Sequence, residues 1–141
     1  MLLERLCDAT YGYSLMHSVE PSAAGDGLLY GQGNASFTGR VAGEAQWSDS
    51  PRLRGNYAFP NAHGVIILID GGGCVLFTVT GMSSLLDGRG VHVLMFQTDD
   101  PAHAWLNEVM AVGEGSIDIT RGLLAMRYYQ CLVNDPPAIS S

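Results

Sequence analysis

The sequence predicts an all-β protein, an antiparallel β-barrel with one short helical turn near residues 101–107, and three observations carry that prediction. The 18 glycines fall as punctuation, cutting the chain into many short segments. Those segments alternate with the two-residue period of a strand, and only one carries a credible helix start. Several, notably 65–69 and 123–132, are apolar on both faces. An open sheet with one wet side does not account for such strands, whereas a closed barrel partly covered on its outside does.

Residues 6–13 open the sheet, and 21–27 form a turn cluster. Residues 28–30 and 34–37 read as two short strands interrupted by Gly31 and Gly33. In 40–47, Val41, Gly43, Ala45 and Trp47 share one side and Arg40, Ala42, Glu44 and Gln46 the other. Residues 48–51 end that strand with turn chemistry, and 54–59 is read as the next strand. The clearest hairpin joins 63–69 to 74–80 through Asp70-Gly71-Gly72-Gly73.

Residues 90–98 form another strand, after which Asp99 or Asp100 caps a helical turn that Pro101 starts. Trp105 is expected to plug one barrel end and Asn107 to take the left-handed turn conformation. Strands at 109–119 and 122–133 complete the set. One barrel domain over 1–135 and a frayed tail at 136–141 are therefore expected.

The chain has 141 residues, 47% of them hydrophobic, enough for one core burying about two-thirds of the unfolded surface. With 14 acidic against 7 basic residues and a formal net charge of -7, nucleic acid is not an expected partner, because phosphate binding needs a basic stripe. All the basic residues are arginines, and Arg40, Arg52 and Arg54 cluster in sequence as a small anion site would. Cys7, Cys74 and Cys131 are odd in number and lack metal-ligand spacing, so they read as buried small hydrophobes in a reducing cytoplasm. Acid and base at Glu4 and Arg5 break any early signal-peptide core, and no run approaches the roughly 20 apolar residues that span a bilayer. A cytoplasmic protein with no membrane partner is expected.

The stretch Phe96-Gln97-Thr98-Asp99-Asp100-Pro101 followed by Ala104-Trp105-Leu106-Asn107 and an apolar run closed by Gly113 resembles the bacterial and fungal family called domain of unknown function 3237. The likeness continues through Gly39-Arg40-Val41-Ala42-Gly43 with Trp47, through Asn61-Ala62-His63-Gly64-Val65-Ile66, and at Tyr128-Tyr129. The resemblance implies a calycin-type or allene-oxide-cyclase-like barrel, often paired as an oligomer, and supplies no catalytic residues. The chain departs from the family pattern at Gln46, where Asp is favoured before the tryptophan, and at His103, where an aromatic is favoured.

His63, at a strand start beside Gly64, is the first candidate for chemistry: a barrel rim would present its imidazole to a cavity, and an unperturbed pKa near 6.5 suits proton transfer. Without a cavity it is an ordinary hydrogen-bonded rim histidine. Arg54, to fix an enolate or carboxylate, and Glu44, as base, complete the catalytic set if their side of the strands faces inward; facing outward, they are solvated charges. Arg40, Gln46, Tyr57, His92 and Tyr129 are the expected ligand-binding residues. His92 gains weight if it shares a cavity with His63; otherwise it is a satisfied core histidine.

The four histidines form no close pair, so no metal is expected, and the glycine runs sit in hairpins, so no dinucleotide cofactor is expected. These features favour a small organic substrate and a cofactor-independent enzyme that cyclises, isomerises, hydrates or eliminates by general acid/base catalysis. The alternatives are a non-catalytic binding barrel for an apolar or aromatic metabolite, or a structural module that pairs as a homodimer with a solid interior.

Overall fold

In the computed structural model, which describes residues 1–140, the strands are β1 (Leu2–Val19), β2 (Gly27–Gly39), β3 (Gly43–Asp49), β4 (Arg52–Arg54), β5 (Tyr57–Phe59), β6 (Ala62–Leu68), β7 (Cys74–Ser84), β8 (Arg89–Gln97), β9 (Met110–Asp118) and β10 (Leu123–Leu132). Eight of them close a barrel in the cyclic order β1-β2-β3-β6-β7-β8-β9-β10, every pairing antiparallel. Closure leaves no sheet edge in the wall. The short β4–β5 hairpin makes a second bridge between the start of β2 and the end of β7, walling one mouth.

The lumen follows the two-residue alternation. Cys7, Ala9 and Tyr11 of β1, Ala35 and Phe37 of β2, Ala45 and Trp47 of β3, and Phe77 and Val79 of β7 are all buried. Glycines make room for the rings: Gly33 stands opposite Trp47, Gly64 opposite Phe77, and Gly113 opposite Tyr128. A Cβ at Gly64 or Gly113 would run into the facing ring. Gly31 and Gly33 therefore do not interrupt β2; they lie inside one continuous strand whose missing side chains admit Tyr13 and Trp47. The rings meet edge to face, Tyr11 with Phe37 at 5.8 Å, Tyr13 with Trp47 at 4.8 Å and Phe37 with Phe77 at 5.5 Å. The hydroxyls of Tyr11 and Tyr128 hydrogen-bond to each other at 2.9 Å, and the Trp47 indole N–H donates to the Asn34 carbonyl at 3.0 Å. The middle of the barrel is thus solid.

Beyond that plug the two ends differ. One is shut by the 3-10 helix Pro101–Glu108 and the turns 39–42 and 69–73. Leu106, not Trp105, is the side chain this helix buries; Trp105 is half-buried under the Arg40 guanidinium, 4.6 Å from the ring centre. Asp100 does not cap the helix with its side chain, because its carboxylate is held by His103 Nδ1 at 2.6 Å. Asn107 is not left-handed. Its side-chain amide accepts from the Thr98 N–H at 2.8 Å and donates to the Thr98 carbonyl at 2.9 Å, tying the helix to β8.

The other end is a mouth formed by the β1–β2, β7–β8 and β9–β10 turns and the β4–β5 hairpin. Here the single strand read at 54–59 is instead two three-residue strands turning at Gly55, whose φ of 55° suits glycine. The outer wall explains the strands that are apolar on both faces: Ile67, Leu76, Met95 and Met110 point outward and are about half exposed. Residues 136–140 carry no regular secondary structure, and Ser141 lies outside the described residues. Among the described residues no helix is long and apolar enough to cross a membrane.

Candidate functional site

β3 keeps its alternation one step past Trp47, so Asp49 also points inward, at the mouth. It stands beside a pit of about 180 Å³ between the aromatic plug and the β4–β5 hairpin. Leu29, Leu53, Ala58, Pro60, Ile117 and Leu124 supply apolar wall, and Asp49, His92, Ser83 and Tyr13 bring polar atoms to it. Beneath the pit lies a much smaller chamber of about 20 Å³, bordered by Tyr11, Trp47, Ala62 and Val79. Tyr13, Asp49, Pro60, His92 and Leu124 line both spaces.

Burial sets the electrostatics of this mouth. Removal from water pushes the Asp49 carboxyl above its ordinary range, against the pull of backbone N–H donors that favour the charged form, the Asn61 N–H at 2.8 Å among them. His92 is 3% exposed, and desolvation lowers it from 6.5 to about 4, so it is neutral at pH 7. Its Nε2 contacts the Ser83 hydroxyl at 2.8 Å, while Nδ1 is buried and meets no protein partner. Gly81 and Gly113 stand opposite His92 on the two neighbouring strands, and the ring lies close over Gly81 and Gly90. Burial likewise raises the Tyr13 phenol to about 12, so it stays protonated. A carboxyl that gives up its proton reluctantly, set in an apolar pit, is equipped for general acid/base work.

Most residues singled out from the sequence lie elsewhere. His63 is exposed on the outer face of β6, in register with Ser48 and Thr78, and borders only open hollows of the outer wall. The expectation that its imidazole enters a cavity is corrected, because Ala62, Ile66 and Leu68 take the lumenal side of that strand. Glu44 and Gln46 are exposed on the outside of β3, and the Glu44 carboxylate accepts from Ser36 Oγ at 2.9 Å. Arg54 lies at the mouth but points to solvent, paired with Asp26 at 3.0 Å. Arg40 is at the shut end, donating to Gln130 at 3.2 Å, so the arginine cluster does not assemble. Tyr57 is exposed on β5, and Tyr129 faces out, since Met126 and Tyr128 occupy the lumenal side of β10. Only His92 reaches the pit.

Asp49, Tyr13 and Ser83 were missed. For Asp49 the signal was present: counting by twos from Gly43 through Ala45 and Trp47 reaches it, but the turn chemistry of Ser48 to Pro51 masks the strand's last step. Ser83 belongs to an extension of β7 beyond Thr80 that no local pattern marks. Among the described residues no three His, Cys, Asp or Glu side chains gather as a metal site.

The sequence matches no family model, and no curated protein matches it. Solved structures do share the fold. A conserved protein of unknown function from Rhodopseudomonas palustris superposes with a TM-score of 0.80 at 14% identity, over 93% of this chain and 97% of that one. A β-barrel-like protein from Acinetobacter baumannii gives 0.74 at 14% identity, over 92% and 94%. An enzyme from Penicillium herquei gives 0.63 at 22% identity, over 92% of each chain. The chain is therefore an all-β barrel of a shape shared by proteins of unknown function and by at least one enzyme.

Proposed function

We propose that the mouth pit binds a small, largely apolar organic molecule and that Asp49 moves a proton to or from it, as an isomerisation, cyclisation, elimination or hydration requires. The observation that carries this reading is the inward carboxyl of Asp49, held above its ordinary pKa by burial beside a pit whose walls are otherwise mostly apolar. Such chemistry needs shape, a positioned proton carrier and little else. That a barrel of this shape from Penicillium herquei is an enzyme supports a catalytic reading over a packed structural module. The Thr98 to Asn107 motif, which ties the helix to β8, supports grouping the chain with the domain of unknown function 3237 barrels.

The test is to recover the molecule retained from a metabolite extract by native mass spectrometry and follow its conversion by wild type and Asp49→Asn. The amide keeps the side chain's shape and still accepts from Asn61, so binding should persist while turnover falls by about 10²- to 10³-fold. Equal turnover in the two proteins removes Asp49 from the role. A ligand recovered unchanged from the wild type points instead to a carrier, which the apolar lining also suits.

A further inference from the structure

The small chamber under the pit carries an inference of its own, one that rests on the pit being a ligand site. At about 20 Å³ it has room for one water-sized group. Two polar groups on its border are already engaged, the Tyr11 hydroxyl with Tyr128 and the Trp47 indole with the Asn34 carbonyl, and the Tyr13 phenol lines it as well. His92 Nδ1 has no protein partner, and the Asp49 carboxylate has lone pairs beyond those its backbone donors occupy. Asp49 and His92, with the Tyr13 phenol beside them, therefore bring spare hydrogen-bonding capacity to a space the size of one oxygen atom, continuous in its lining with an apolar pit.

We propose that this chamber is a hydroxyl site: the pit takes an uncharged alcohol or phenol whose apolar body lies against Leu53, Ala58 and Leu124 and whose terminal oxygen enters between Asp49 and His92. A hydroxyl both donates and accepts, so it can donate to an ionised Asp49 while accepting from a protonated His92 Nδ1, or accept from a protonated Asp49 while donating to an unprotonated Nδ1. A carbonyl oxygen only accepts and leaves an ionised Asp49 unmatched, and a carboxylate would face it with like charge. His92 is thereby a specificity-determining residue, held in place by its contact with Ser83.

The experiment compares 2-naphthol with 2-methylnaphthalene, which differ by a hydroxyl against a methyl of similar size, by equilibrium dialysis on the full chain. Binding of 2-naphthol should be about tenfold tighter, the worth of one to two well-made hydrogen bonds. His92→Phe should remove that preference while 2-methylnaphthalene still binds. Burying a hydroxyl without a partner is unfavourable, so an equal or reversed order on the wild-type protein overturns the proposal and leaves the pit itself standing. Failure of both compounds to bind overturns the pit reading and this inference with it. Should His92→Phe not fold, the order of the two compounds on the wild type decides alone.

Discussion

The two halves of this barrel are built from the same strands and do opposite things. In the half next to the helix, Gly64 receives the ring of Phe77 and Gly113 that of Tyr128, and the space is filled by Phe37, Phe77, Tyr128 and Leu106. In the half next to the β4–β5 hairpin, the strands continue but the large side chains stop at Tyr13 and Trp47, leaving a pit with a carboxyl and an imidazole on its walls. A solid half can hold ionisable groups at fixed positions in the other half, where Asp49 and His92 lose solvation that the Asn61 N–H and the Ser83 hydroxyl replace only in part. Close packing is concentrated in the first and the buried ionisable groups in the second.

The contrast is broken most severely by emptying the packed half. Phe77→Ala should cost about 3 to 5 kcal/mol, whereas Leu53→Ala at the mouth should cost about 1 kcal/mol, both read from urea unfolding midpoints. Equal losses would mean that the mouth is packed as tightly as the plug. The next effect is pH dependence from His92. Its folded pKa of about 4 lies below the ordinary 6.5, so the unfolded chain takes up a proton first as pH falls. The stability it permits is complete above pH 6.5 and declines as pH drops toward 4, by about 2 kcal/mol between 6.5 and 4.5. Subtracting the profile of His92→Gln isolates this contribution; identical profiles would show that the imidazole is solvated.

Smaller again is Tyr128→Phe, which strands the Tyr11 hydroxyl inside the plug and should cost about 1 to 2 kcal/mol without changing ligand affinity at the mouth. Last is His63→Ala on the outer wall, expected to move stability by no more than about 0.5 kcal/mol and to leave ligand affinity and turnover untouched. A large loss of turnover there would sink the division of labour between lumen and wall.

Legibility varied along the chain for physical reasons. Strand β3 was readable because its faces differ in chemistry: Gly43, Ala45 and Trp47 oppose Glu44 and Gln46, so the core side declares itself. Strand β6 was not, because Val65, Ile66, Ile67 and Leu68 are apolar in both phases, and alternation alone leaves His63 on either side. Leu106 rather than Trp105 became the buried face of the helix because Arg40, 65 residues earlier in the chain, supplies Trp105 with a cationic cover. The β4–β5 hairpin escaped because three-residue strands are too short for a period to show.

Local chemistry along the chain was enough to establish strands, turns, the single helical turn and an antiparallel barrel, since alternation, glycine placement and an Asp-Pro start act over a few residues. Which side of each apolar strand became lumen, and therefore that Asp49 and His92 share a pit while His63, Glu44 and Arg54 face water, was settled by closure of β1 onto β10 and of β3 onto β6. Those pairings join segments far apart in sequence, and inside and outside acquire meaning only once the cylinder is complete.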